Sequence, residues 1–469
     1  MQTSSVTSGK IATERLLLAL GVIGASIVGV AALFTPYPAL APILAISFVA
    51  GLFVIRFPEL AVYGLIIGVF FTGGDNPLSA LRIHGSIKLV APVLLIFAIA
   101  RSITAHGNRL SSHQKLALCF AVMFCGYAII SWISGPDTTD DASFLLVQRL
   151  VISVSLFSMI ILLKDRLKIE WLIVSIVIGA AFSCLLTLPL DTAHPENGRE
   201  AGFLGDPNLY SAYLVTSIPI AASFYFRSRN PSIQFIALLI VGLIAYTTLN
   251  TGSRAGLVVC VFGIVASFAV SFKSQLKNLK QLAAIAVVLI AGFAVVVLPQ
   301  ASKIFDRSGS TEIQTSLGEV DRSTARRLSY IEVGVKLIVS EPLLGNGLGS
   351  FPKEFANSNQ SKIFMTSKEL FPLFRRAHNS YLEVLAELGL LGFSLFAGIH
   401  LVSLLTLTTA SKLTTRNLNN HLPSLETFLT ISLVSMWIMM ITLSIYEMYM
   451  LWVICAICLL VRAKEESHG

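Results

Sequence analysis

Apolar runs of about 20 residues follow one another almost from end to end in this chain, separated only by short polar or Gly/Pro breaks. A hydrocarbon core about 30 Å thick takes about 20 apolar residues as a helix, so the runs match crossings, with 58–73 and 87–101 short for a full one. Spans are expected at 16–34, 38–55, 58–73, 87–101, 115–134, 145–163, 170–190, 209–226, 232–249, 254–272, 282–299, 380–409, 424–443 and 446–462. The expected fold is therefore all-α: a polytopic integral membrane protein with about 12–14 transmembrane helices and one large, partly helical outer loop. Composition agrees, since 55% hydrophobic and 13% charged residues lie far from the usual balance of a soluble domain. The break at Ile445-Tyr446-Glu447 reads as a tight hairpin or a kink.

The formal charge of +8 does not imply nucleic acid, because the basic residues sit mostly in short loops between apolar runs, where they orient helices. Alternate loops carrying Arg101/Arg109/Lys115, Lys164/Arg166/Lys168, Arg227/Arg229, Lys273/Lys277/Lys280, Lys412/Arg416 and Arg462/Lys464 fall inside if the N-terminus is cytoplasmic. The expected order is a cytoplasmic tail 1–15, a helix bundle 16–299, a large outer loop 300–379, C-terminal helices 380–462 and a cytoplasmic tail 463–469. The first apolar run is read as an anchor rather than a cleaved signal. All six cysteines lie inside apolar spans, so neither a disulfide framework nor a zinc site is readable.

Four segments fall outside in this topology: 135–143, 191–208, 250–256 and the long stretch from about 300 to 379. At the end of the last, "RRAHNSYLEVLAELGLLGF" places two arginines and a histidine where a helix enters the membrane. Ser380-x-x-Glu383 has capping-box spacing, which puts His378 and Asn379 just outside a helix N-terminus. The positive end of that helix, with Arg375 and Arg376 beside it, favours neutral imidazole at His378 and attracts anions. The alternative is contact with lipid head groups. Arg199 in "ENGREAGFLGDPN" and Arg254 in "NTGSRAG" are two more outward arginines; each either binds an anion or pairs locally, Arg199 with Glu200 or Asp206. Guanidinium groups suit a diphosphate because they bind phosphate oxygens bidentately and keep their charge. "GNGLGSF" lacks a nucleotide-binding context and reads as a turn. Glu387 lies one turn beyond Glu383, facing the same cavity or an interhelical partner. Arg149 and Lys88 read as snorkelling side chains, and His400 and Glu447 as packing or boundary groups. No metal-binding or serine-nucleophile motif occurs in the outer segments.

"RRAHNSYLEVLAELGLLGF", "ARRLSYIEVGVKLIVSEPLLGNGLGSFP" and "TGSRAGL" together resemble the O-antigen ligase and O-antigen polymerase family of bacterial cell-envelope glycosyltransferases, over about residues 195 to 400. The resemblance implies transfer of a glycan from an undecaprenyl-diphosphate-linked oligosaccharide donor to a sugar hydroxyl of a saccharide acceptor. The reaction would be metal-independent, inverting and cofactor-free, at the periplasmic face of the inner membrane. By the same resemblance His378 is the base. Arg254 and Arg199 hold the diphosphate, Arg376, Arg375 and Arg326 are secondary contacts, and Glu383, Glu387 and Asn379 support the acceptor side. Membrane lipids and other polysaccharide-assembly membrane proteins are the further partners implied. A polymerase of a surface or exopolysaccharide is favoured over a ligase that attaches polymer to lipid A core. The rivals from other classes are a lipid-linked oligosaccharide transporter or flippase, for which repeated halves and broken helices near the midplane would speak, and a membrane acyltransferase.

Overall fold

The computed structural model describes residues 56–73, 83–104, 110–135, 141–190, 192–194, 198–273, 312–315, 318–362, 374–417 and 423–461. The spans expected at 16–34, 38–55 and 282–299 and both terminal tails lie outside these residues. The chain divides into two compact units, 1–64 and 65–469, and the site lies in the second.

The described helices are α1 (Pro58–Gly68), α2 (Ile83–Thr104), α3 (Ser112–Ile133), α4 (Asp141–Leu162), α5 (Ile169–Thr187), α6 (Pro207–Arg227), α7 (Pro231–Asn250) and α8 (Arg254–Lys273). A hairpin of β1 (Glu312–Thr315) and β2 (Gly318–Asp321) is followed by α9 (Arg322–Ser340), α10 (Ser350–Asn357) and α11 (Asn359–Lys362). Then come α12 (Ser380–Asn417), α13 (Leu425–Thr442) and α14 (Tyr449–Leu460). Among the described residues eight helices, α3 to α8, α12 and α13, are long and apolar enough to cross a membrane. The protein is an all-α, multi-pass membrane protein, with the small hairpin as its strand content among the described residues.

Local chemistry sets the helix starts. Ser111 and Gln114 form a capping box at α3, with each side chain bonded to the other's backbone amide. Asp206 accepts from the amides of Asn208 and Leu209 at α6, and Asn230 caps α7; both helices carry Pro at N1, where no amide partner is lost.

The core is built around α6 and α14. α6 packs between α7, α8 and α13, while every residue of α14 is buried, against α4, α12 and α13. Trp452 of α14 packs between Phe124 of α3, stacked at a centroid distance of 6.2 Å, and Phe157 of α4, edge-on at 5.7 Å. α12 lies along α3, where the absence of a side chain at Gly398 admits the Phe120 ring.

One expectation shifts. The last span, expected from 446, starts at Tyr449, because Leu443 to Met448 are held out of helix: the Ser380 amide and hydroxyl both donate to Leu443 O, and Ile445 N–H donates to Ser380 Oγ. On α9 the buried face is Ala325, Tyr330, Val333 and Leu337, whereas Leu328, Ile331, Val335 and Val339 are exposed. That outer stripe runs on through exposed Leu343 and Leu344 to Leu390 and Leu391 of α12, whose amides donate to the carbonyls of Pro342 and Leu343.

Candidate active site

The helix that carries the opening motif is broken. Gly389 has φ +60° and ψ −167°, so α12 is two helical pieces joined at that residue. A break inside a membrane helix frees backbone groups that lipid cannot satisfy, and such backbone persists only where protein buries it. Here the loop 341–349 fills the gap. The amides of Asn346 and Gly347 donate to Ala386 O and Glu387 O at 3.1 and 3.0 Å, and Asn346 Nδ2 also reaches Ala386 O at 3.0 Å. In return Pro342 O and Leu343 O accept from Leu390 and Leu391 at 2.9 and 3.1 Å. Gly345, Gly347 and Gly349 all have positive φ, so "GNGLGSF" is a turn as expected, but one folded into a helix break rather than a surface connector.

Three carboxylates and one guanidinium lie fully or largely buried next to this break. Glu383 accepts from Arg376 Nε at 2.7 Å, from the Ala377 amide at 3.0 Å and from the Ser444 hydroxyl. Glu447 takes the other edge of Arg376, with Nη1 and Nη2 donating to its two oxygens. Arg376 thus bridges α12 to the α13–α14 turn in a bidentate arrangement, and its guanidinium also lies over the Tyr446 ring at 5.4 Å. Glu387 accepts from the Phe351 amide at 3.1 Å, at the start of α10, and from Tyr446 OH at 3.2 Å.

His378 stands just before this cluster, with φ +49°, the sole non-glycine positive φ among the described residues. The next residue, Asn379, caps α12: its Oδ1 accepts from the amides of Tyr381 and Leu382, both at 3.0 Å. The capping box read at Ser380 and Glu383 is displaced, because Ser380 bonds to the 443–445 segment and Glu383 reaches upstream to Ala377. The His378 ring stacks on Tyr330 of α9, with centroids 5.6 Å apart and planes at 21°. Burial and the charges of Arg327, Arg376 and Arg375 push its pKa down to about 4, against the opposing pull of Asp206. The imidazole is therefore neutral at pH 7, as its place in the sequence predicted. Burial likewise raises the Tyr330 hydroxyl, with Arg326, Arg375 and Arg327 pulling the other way.

The sequence-chosen cations thus divide. Arg326 and Arg375 gather with Arg327 around the Tyr330–His378 stack. Arg376 is enclosed by Glu383 and Glu447. Arg199 donates through Nε to Thr251 O at 2.7 Å and through Nη2 to Asn208 Oδ1 at 3.0 Å, tying the 198–202 segment to the ends of α7 and α6. Arg254 opens α8, where Ser253 Oγ caps the Gly256 amide at 3.2 Å and Gly256 rests on Ser211 of α6.

Behind Arg376 lies a cavity of about 800 Å³. Glu383, Glu387, Glu447 and Arg376 line it together with Arg149, Lys353, Trp132 and the loop 346–350. Sequence reasoning missed Glu447 and Arg149. A glutamate at a helix junction and an arginine near an outer helix end were the signals available, and both read as boundary residues. Among the described residues no group of three or more His, Cys, Asp or Glu could hold a metal ion.

Residues 237–397 match the O-antigen ligase family model. The O-antigen ligase match spans most of α7, all of α8, the loop 341–349, His378 and the break at Gly389, and so takes in Arg254, Arg326, Arg375, Arg376, Glu383 and Glu387. Over this segment the chain is similar to that family, in line with the resemblance to the O-antigen ligase and polymerase family. Arg199, Arg149 and Glu447 lie outside the matched segment. No curated protein matches the chain.

Proposed function

We propose that this protein transfers a glycan from an undecaprenyl-diphosphate-linked donor to an acceptor sugar hydroxyl at the periplasmic face of the bacterial inner membrane. The observation that carries the reading is a neutral His378, held in a left-handed conformation at the N-terminus of α12 and surrounded by arginines, within the O-antigen ligase segment.

In this reaction a His378 ring nitrogen accepts the acceptor hydroxyl proton as the oxygen attacks the anomeric carbon. The bond from that carbon to the diphosphate breaks, and the leaving diphosphate takes its electron pair. General-base help of this kind contributes typically ~10²–10⁴-fold. Attack from the face opposite the diphosphate inverts the anomeric centre, and fixed positive charge does the work that a metal ion does elsewhere. Arg375, Arg326 and Arg254 supply that charge, whereas Arg376 and Arg199 act through positioning. An anion docked among Arg327, Arg375 and Arg326 offsets the charges that depress His378 and makes it a stronger base when donor is present. Glu383 and Asn379 hold the His378 turn in place. Glu387 faces the cavity on the acceptor side.

The broken α12 is a feature also expected of a transporter, but its gap is filled by the chain's own loop 341–349, which favours a fixed scaffold over an ion or substrate site at the break. Polymerization of a surface or exopolysaccharide is the reading put forward. Deletion in the source organism, followed by gel analysis of surface glycan and lipid-carrier extracts, tests it. Single repeat units left on carrier or core support a polymerase. Long polymer accumulating on the carrier identifies a ligase, and unchanged glycans refute both.

A further inference from the structure

The helix α9 has two apolar faces. One, through Tyr330, Val333 and Leu337, is buried against α10 and the start of α12. The other, Leu328, Ile331, Val335 and Val339, recurs every three or four residues and so forms a single row down the opposite side, 43% to 74% exposed. Charged residues border that row, Arg327 on one side and Glu332 and Lys336 on the other, all exposed. A continuous apolar row of this kind is an interaction surface rather than a face suited to water.

The break in α12 sets the direction of α9. A straight helix would put Tyr381 and His400 about 28 Å apart. Yet one residue of α13, Trp437, meets both: its carbonyl accepts from Tyr381 OH at 3.2 Å, and its indole N–H donates to His400 Nδ1 at 3.1 Å. Three side chains end to end do not cover that distance, so Ser380–Leu388 turns sharply away from the piece that follows Gly389. The following piece, from Leu390 to Ser411, is about 33 Å long and crosses a hydrocarbon core by itself. Ser380–Leu388 therefore lies across the end of that crossing. α9 runs beside it: Tyr330 stacks on His378, Gly334 packs on Leu382, and Asn346, just past α9, donates to Ala386 O. Thus α9 also lies along the membrane surface.

What covers the exposed row follows from where it leads. Beyond Val339 it passes to exposed Leu343 and Leu344, and the carbonyls of Pro342 and Leu343 accept from the amides of Leu390 and Leu391. Those two leucines open the membrane-crossing piece of α12 and are themselves exposed. Leu344 O also accepts from Tyr127 OH of α3, a membrane-crossing helix on which Ile130 and Ile133 are exposed. Exposed aliphatic side chains on such helices face lipid, and the α9 row continues that surface.

We propose that the exposed row of α9 is seated in the bilayer, which makes α9 an in-plane membrane helix with lipid acyl chains as the partner of that face. The opposite face then holds Tyr330 against His378 at the membrane surface, within reach of a substrate anchored by a lipid tail. That consequence rests on the glycan-transfer reading; the seating in lipid does not.

Photo-crosslinking of the full-length protein in nanodiscs of phosphatidylethanolamine and phosphatidylglycerol tests this. The photoreactive residue p-benzoylphenylalanine is placed singly at Ile331, Val335 and Val339 and, as a water-facing control, at Lys336; adducts are identified by mass spectrometry after irradiation. Lipid adducts are expected at Ile331, Val335 and Val339 in roughly fivefold or higher yield than at Lys336. Lipid yields at the three sites no higher than at Lys336 overturn the proposal. Adducts from those sites to a second copy, or to another segment of this chain, also overturn it, because they mark a face covered by protein. The same holds if all three proteins fail to insert while the Lys336 control inserts, which marks a packed face. If lipid adducts form and the wild type transfers no glycan, the activity reading fails and the seating stands. If transfer occurs and no lipid adducts form, the seating fails and the activity stands.

Discussion

Gly345 and Gly389 sit back to back: a Cβ on Gly345 would overlap the Glu387 carbonyl, and a Cβ on Gly389 would overlap the Leu343 carbonyl. Both residues also have positive φ, +77° and +60°. The close approach is what lets the loop 341–349 exchange hydrogen bonds with the open turn of α12, and that exchange fixes where Glu387 and the start of α10 stand. The Gly-rich turn and the break in α12, 44 residues apart from Gly345 to Gly389 in the matched segment, are two halves of one structural unit.

Gly389→Ala and Gly345→Ala are each expected to destabilize the protein by at least about 2 kcal/mol, combining left-handed strain with backbone overlap. Thermal unfolding in detergent reads this as a clear fall in Tm. Gly242→Ala on α7, where a Cβ meets nothing within 4 Å, should leave Tm unchanged or raise it.

Arg376 and its two buried carboxylates form one electrostatic unit. Glu447→Ala removes half of the partners of a buried guanidinium and should cost on the order of 3 kcal/mol. Adding Arg376→Met to Glu447→Ala removes the uncompensated charge, so the double variant is expected to be more stable than the sum of the two single losses. A double-mutant cycle on unfolding midpoints measures that coupling, and strict additivity would show that the two residues act independently.

Arg199 holds two acceptors that a single ammonium cannot reach in the same geometry, Thr251 O and Asn208 Oδ1. Arg199→Lys should therefore lower Tm while the charge is kept. If the arginine served donor binding alone, Arg199→Lys would leave Tm where it was and raise the KM for donor.

The pKa of about 4 at His378 lies below its ordinary value, so the free base persists well into acid. The kcat/KM for donor, which reports the donor-free protein, is expected to hold steady from pH 8 down to about pH 5, where an unperturbed imidazole with a pKa near 6.5 would already have lost most of its base form. Stability runs the same way. The unfolded chain binds a proton at this site below about pH 6.5 that the folded protein binds only near pH 4, so the His378 contribution is complete above that window and is lost as pH falls through it. A kcat/KM that fell by half near pH 6.5 would contradict this.

The spans were legible because hydrophobicity over about 20 residues is a local property: α3 was expected at 115–134 and runs Ser112–Ile133, and α7 was expected at 232–249 and runs Pro231–Asn250. His378 and the arginines near it were legible because they share one short segment. The break at Gly389 was not, since a glycine in an apolar run also suits an unbroken helix, and it opens only because residues 342–347 return to fill it. Glu447 and Arg149 were missed for the same reason. Their roles depend on Arg376 and on the walls of a cavity, contributed by segments up to 315 residues apart, from Trp132 to Glu447. Ser380 and Asn379 show the limit of cap reading: either residue suits an N-cap, and the choice falls to Asn379 because Ser380 is drawn to Leu443 and Ile445.

The central claim is that His378 carries the proton step of glycan transfer. His378→Asn tests it most directly, because Asn tolerates the left-handed backbone that His378 adopts while offering no comparable base. In a deletion strain complemented with this variant, the account predicts membrane-inserted protein with wild-type Tm and loss of transferred glycan, with donor accumulating on its lipid carrier. Normal surface glycan from the same strain would contradict it.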